Sequence, residues 1–231
     1  MTWRLFNTTT AISVRSADEW SRSKSRKEAT RVRLRAAGLS EKRFGPGLSA
    51  RLPADISFDI SLCAVRILAI CGSLQGKSGN LALLGTAAAS LPPDVELVLF
   101  DGLRDLPHFN PDIETSGVPE SVRRWRQALA ESHAVLVASP EYGFSLPGAL
   151  KNAIDWVIGS GELERKVVAI TAAVPGPERG RRGLQALRDT LSAVRATIVG
   201  GEPIPRGPDF EFQVAALVCA LVEAAAAARI G

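Results

Sequence analysis

Two short stretches hold the residues that could do chemistry. The first is CGSLQGKSGN, Cys71 to Asn80, which sets Ser73, Ser78 and Asn80 among Gly72, Gly76 and Gly79. Glycines let backbone N–H groups turn inward, and the short side chains add polar groups. If a helix starts behind them, unpaired amides at the positive end of its dipole form a cradle for phosphate. The spacing is neither G-x-G-x-x-G nor G-x-x-x-x-G-K-[ST], so Lys77 before Ser78 is not at the Walker distance from the first glycine. The plain alternative is an ordinary turn with Ser78 as a helix cap. The second stretch is SPEYGFSLPGALKNAIDW, Ser139 to Trp156, in which Glu141 and Tyr142 directly follow an apolar run. Pro140 ends that run, Gly143 permits main-chain angles closed to other residues, and Pro147 suits a helix start. A flat ring can lie against Tyr142 with backbone amides near its polar edge. The plain alternatives are a Glu141 carboxylate set beside a helix or a lysine, an Asp155–Lys151 pair on a solvated face, and Trp156 in the core.

A third stretch, AAVPGPERGRRGL from Ala172 to Leu184, is bendable at Gly176 and Gly180 and cationic at Arg179, Arg181 and Arg182. Its arginines either meet a second phosphate-bearing molecule or are solvated loop charges. Other chemistries have little support. His108 and His133 are too few and too scattered for a histidine metal site. Cys63, Cys71 and Cys219 are odd in number and far apart, with no C-x-x-C. That argues against a disulfide framework or a zinc site and fits a reducing, cytoplasmic setting. Cys71 reads as a core residue at a strand end.

These stretches become neighbours only if the elements between them place them so. From Ala64 the chain alternates. Apolar runs at 64–71, 133–139 and 166–173 read as strands buried on both faces. Segments 94–101 and 196–201 read as further strands. Helical spacing marks 79–91, 121–132, 149–158, 183–195 and 211–230. Strand–helix alternation implies a parallel sheet covered on both faces. Five strands favour an α/β, flavodoxin-like three-layer sandwich with strand order 2-1-3-4-5. Ligands in such sheets sit at the carboxyl ends of the strands near the switch point between strands 1 and 3. The three stretches are the loops after strands 1, 3 and 4.

The first quarter differs. Residues 1–64 carry 12 basic and 6 acidic side chains, whereas the rest carries 16 basic and 18 acidic, so the high pI belongs to the N-terminal part. The body gives no electrostatic argument for nucleic acid. Residues 1–63 are expected to be a basic, mostly disordered extension with a short helix near 28–37, since Arg, Lys and Ser bury little apolar surface. It reads as a dispensable extension, an arm for an acidic partner or an organelle-targeting peptide. No run of about 18 apolar residues occurs, so no membrane span is expected.

Taken together, GSLQGKSGN and PEYGFSLPGALKNAIDW resemble the two signature loops of the NADPH-dependent FMN reductase family, which includes chromate, azo-dye and quinone reductases. LPHFNPDIE (106–114) is similar to that family's loop after strand 2. The resemblance covers about residues 64–200. It implies that Ser73, Gln75, Ser78, Gly79 and Asn80 surround the FMN phosphate. It implies that Pro140, Glu141, Tyr142, Gly143 and Phe144 line the isoalloxazine, and that Pro175 and Gly176 close the third side. Two positions depart: the family usually has Arg at Gln75 and often Asn at Gly143. Lys77 is a candidate to compensate the first. The implied reaction moves a hydride from NADPH or NADH to FMN, and then to quinones, free flavin, azo dyes or metal oxyanions. No protein acid or base is needed in its first half. The family also implies a homodimer or homotetramer. The rival readings are a flavodoxin-type electron carrier and a flavin-free interaction module keeping the fold.

Overall fold

The computed structural model describes residues 65–176 and 178–229. The extension expected over 1–63, with its short helix, lies outside the described residues. Five strands form one parallel sheet: β1 Val65–Cys71, β2 Val95–Phe100, β3 Ala134–Ala138, β4 Val167–Val174 and β5 Thr197–Pro205. Their order is β2-β1-β3-β4-β5, as the alternation predicts. The helices are α1 Gly79–Ala89, α2 Pro111–Ser116, α3 Glu120–Glu131, α4 Gly148–Asp155, α5 Arg181–Ala193 and α6 Phe210–Ala227.

The apolar runs are continuous because each strand feeds two cores. In β1, Ile67 and Ala69 pack with Leu83 of α1 and Val214 and Leu221 of α6. Leu68 and Ile70 face the other way, toward Trp125 of α3, Leu150 and Ile154 of α4, and Leu187 of α5. Successive side chains of a strand point to opposite faces, so a doubly covered strand cannot spare a polar position. Arg66 is the exception in β1. Its guanidinium lies 3.3 Å from Glu96 and 3.6 Å from Glu131, at the end of the strand remote from the loops of interest. Trp156 is fully buried, which places it in the core.

Three expectations need correction. The stretch 106–114 is not all loop, because α2 begins at Pro111. Asn110 caps it by accepting from the Asp112 amide at 2.9 Å, and proline at the first helical position costs no hydrogen bond. Strand β5 does not end at Gly201. The pairing with β4 slips between Ile170 and Ala172, and the chain then resumes with Ala172 opposite Pro203. Gly200 and Gly201, at φ +68° and +113°, make the slip possible. Finally, α6 is long and apolar enough by length and composition to cross a membrane. Its Val214, Val218, Leu221, Val222 and Ala225 are buried against the sheet, and that face accounts for much of its apolar character.

Candidate functional site at the carboxyl edge of the sheet

At the carboxyl ends of β1, β3 and β4 the three loops meet. Gly72 donates its amide to the Ala138 carbonyl at 2.9 Å, and Ser139 donates its amide to the Thr171 carbonyl at 2.9 Å. A Cβ on Gly72 would lie 2.9 Å from the Ser139 hydroxyl, so only glycine lets these two strand ends approach so closely.

Loop 71–80 is shaped by its own hydroxyls. Ser73 Oγ accepts from the Gln75 amide and Ser78 Oγ accepts from the Asn80 amide, both at 3.2 Å. Ser78 is therefore the cap of α1, as one of the two sequence readings has it. A cap does not exclude a cradle. The amides of Leu74, Gly76, Lys77 and Ser78 donate to no backbone or side-chain acceptor among the described residues. Asn80 is buried, and its Oδ1 accepts from the Ala173 amide at 2.8 Å, which fastens the start of α1 to β4. Gln75 and Lys77 are exposed. From the opposite side of the sheet, Arg104 donates to the Leu74 carbonyl at 3.1 Å. Burial pushes the Cys71 thiol above its ordinary value, and hydrogen bonds from the Ser73 backbone and the Ser78 hydroxyl pull it partly back. It is protonated at neutral pH and is not a thiolate nucleophile.

The loop after β3 is a tight hairpin. Tyr142 and Ser145 exchange both backbone hydrogen bonds, each 3.0 Å, around Gly143 and Phe144. Both central residues have positive φ, +56° and +63°, the pattern of a type I′ turn. Asparagine and glycine are the residue types that tolerate this conformation, so glycine at 143 keeps the shape that asparagine would have. The turn pushes Tyr142 and Phe144 into solvent, 54% and 67% exposed. The guanidinium of Arg182 covers the Phe144 ring at 4.4 Å.

Glu141 is set beside a helix, as one of the sequence readings has it. Its carboxylate accepts from the Gly183 amide at 2.9 Å, in the first turn of α5. That helix has no side-chain cap of its own, because its N-cap is Gly180 in a left-handed conformation. Glu141 supplies the missing anion from another loop. Arg181 pairs with Glu202 at 2.7 Å. Beside this junction lies an open hollow of about 430 Å³ lined by Pro175, Gly176, Glu178 and Arg179.

Sequence reasoning missed Asn152. From α4 its Nδ2 donates to the Pro107 carbonyl at 2.9 Å and its Oδ1 accepts from the Phe109 amide at 2.7 Å. Trp156 Nε1 also donates to Pro107 O at 2.7 Å. These bonds pin the loop after β2 beneath the edge. The i, i+4 pair is present as expected, with Lys151 Nζ 2.6 Å from Asp155.

The residues present fit FMN. A run of unpaired amides at a helix N-terminus suits a phosphate, and an exposed aromatic hairpin on the adjoining loop suits a planar ring. A parallel 2-1-3-4-5 sheet with such an edge defines a flavodoxin-like flavin-dependent oxidoreductase. The chain belongs to the NADPH-dependent FMN reductase family, whose model matches residues 65–205. An NAD(P)H-dependent FMN reductase of Pseudomonas aeruginosa is 38% identical over 131 residues, covering 55% of this chain and 69% of that protein. A quinone reductase of Pseudomonas putida is 34% identical over 128 residues, covering 54% and 68%. Among solved structures, the flavoenzyme NAD(P)H:(acceptor) oxidoreductase FerB of Paracoccus denitrificans superposes with a TM-score of 0.60 at 26% identity, covering 69% of this chain and 98% of that one. FMN is the cofactor and NAD(P)H the electron source of this enzyme class.

Proposed function

We propose that the chain takes a hydride from NADPH or NADH onto FMN and passes the electrons to quinones and free flavin, with azo dyes and metal oxyanions as further acceptors. One observation carries this reading: three loops, anchored to one another by main-chain bonds, present unpaired amides and an exposed aromatic turn at one edge.

Bound FMN supplies the hydride chemistry. The chain's contribution is placement. Ser73, Gln75, Ser78 and Gly79 shape or line the phosphate cradle, and Asn80 fixes it to β4. Pro140, Tyr142, Gly143 and Phe144 set one wall of the ring site. Glu141 holds that wall against α5, so that the segment at Pro175 and Gly176 forms the third side. Rigid amides aimed at the ring edge stabilise developing negative charge without reorganising. A wall with few side-chain donors places little restriction on the acceptor, which supports broad use. The exposed apolar residues Leu74, Tyr142 and Phe144 support a dimer or tetramer in which a second copy covers this rim. The basic residues 1–63 are proposed to be an appendage to a catalytic domain spanning 64–231, and the free thiols of Cys71 and Cys219 fit a cytoplasmic setting.

The test is an anaerobic titration of the flavin-loaded full chain with NADPH and with NADH, followed by a quinone. Bleaching of the flavin by either nucleotide and recovery on adding quinone are expected. A bound flavin that neither nucleotide bleaches would sink the reductase reading.

A further inference from the structure

The phosphate loop carries a neutral Gln75 and one cation of its own, Lys77, and both are exposed. The tertiary structure brings another cation to the same place. Arg206 follows β5, and its amide donates to the Val174 carbonyl at 2.9 Å. Its side chain crosses the start of α1 so closely that a Cβ on Gly79 would lie 2.4 Å from one terminal guanidinium nitrogen and 2.9 Å from the guanidinium carbon. Gly79 is the first residue of α1, directly after the Ser78 cap. Arg206 makes no ion pair among the described residues, in contrast to Arg181 and Arg195, which pair with Glu202 and Glu164. Arg206 is itself exposed, so water screens its charge, and an anion bound at the positive helix end gains from both the guanidinium and the dipole.

We propose that Arg206 is the cation for the cofactor's phosphate, replacing from the β5–α6 loop the charge that Gln75 does not supply. This inference rests on the FMN-binding reading above. The guanidinium donates to a phosphate oxygen that also accepts from the amides of the cradle. The glycine at 79 then has two uses. It opens the first turn of α1, and it leaves room for the guanidinium to lie flat against that turn. Arg206 is a positioning and affinity residue, not a catalytic one, because it reaches the phosphate end and not the reacting ring.

The prediction is a selective loss. Full-length protein is stripped of flavin and titrated with FMN and, separately, with riboflavin, which has the ring and no phosphate. Quenching of ligand fluorescence gives Kd. Wild type binds FMN much more tightly than riboflavin. In Arg206→Gln the FMN Kd rises about tenfold, about 1.4 kcal/mol, while the riboflavin Kd changes less than about twofold. The dependence of the FMN Kd on salt becomes shallower. Arg206→Lys recovers part of the loss. Gly79→Ala, which displaces the guanidinium without removing it, reproduces the selective loss, and unliganded melting curves verify that each variant is folded. Equal weakening of FMN and riboflavin, or no weakening of either, overturns the role assigned to Arg206. Wild-type protein that binds neither flavin overturns the FMN reading itself, and that outcome is visible before any variant is made.

Discussion

The Glu141 carboxylate accepts a hydrogen bond from the Gly183 amide at 2.9 Å, and the two residues touch so closely that a Cβ on Gly183 would lie 2.9 Å from the Glu141 Cα. This junction ties the loop after β3 to the start of α5, supplies that helix end with an anion and favours glycine at 183. Two arginines, Arg181 and Arg182, sit at the positive end of the same helix, where their charge opposes the dipole. The Glu141 carboxylate adds negative charge at that end, and Glu202 pairs with Arg181.

Gly183→Ala therefore forces a backbone neighbour to move and destabilises the fold by about 1–3 kcal/mol. Glu141→Ala leaves α5 uncapped and costs about 1–2 kcal/mol. Urea unfolding of the unliganded variants measures both. Unchanged midpoints would show that the junction contributes nothing to stability. Glu141→Gln keeps an acceptor and loses less than the alanine variant.

The turn at Gly143 and Phe144 gives a conformational prediction. With φ at +56°, Gly143→Asn leaves stability within about 0.5 kcal/mol, while Gly143→Val costs about 1–2 kcal/mol or more, because a β-branched residue is strained there. The same pair of melting curves distinguishes a turn constrained by its backbone from one held only by side-chain packing.

Asn152 is an anchor of the loop after β2. Asn152→Leu strands the Phe109 amide and removes one donor from Pro107, at a cost of about 1–3 kcal/mol. Trp156 still holds Pro107, so the loop loosens without detaching. Faster amide hydrogen exchange confined to residues 106–110 is the expected readout.

His133 gives a pH dependence. Burial, and then the charges of Arg229, Lys166 and Arg66, hold its imidazole below the ordinary value of 6.5. Its Nδ1 accepts from the Arg66 amide at 2.8 Å, which requires the neutral ring. The unfolded chain takes up the proton first, so this contribution to stability is complete above about pH 6.5 and is lost as pH falls below it. Wild type has a lower urea midpoint at about pH 5.5 than at about pH 7.5, and the difference is smaller in His133→Asn. An equal difference in both proteins would remove His133 as the cause.

The two-face-buried strands, the strand order and the meeting of the three loops at one edge of the sheet are legible because they depend on local pattern. AVLVA and VVAI admit no polar residue, and alternation with helices leaves few topologies. Helix α2 carries its own start signal in Asn110-Pro111, but at six residues it is too short for a helical repeat to show. The extension of β5 is not legible, because Gly200-Gly201 reads as a stop unless the partner strand is known to be bulged.

By itself, the sequence determined which segments are strands and helices, which edge of the sheet carries the polar loops, and which family those loops belong to. Only the tertiary structure decided what the individual side chains hold. Glu141 serves α5, Asn80 serves β4, Asn152 serves the loop after β2, and Arg206 lies over Gly79. Burial patterns repeat every two or three to four residues and are written locally. Hydrogen-bond partners that lie far apart along the chain exist only once the sheet has brought its strand ends together.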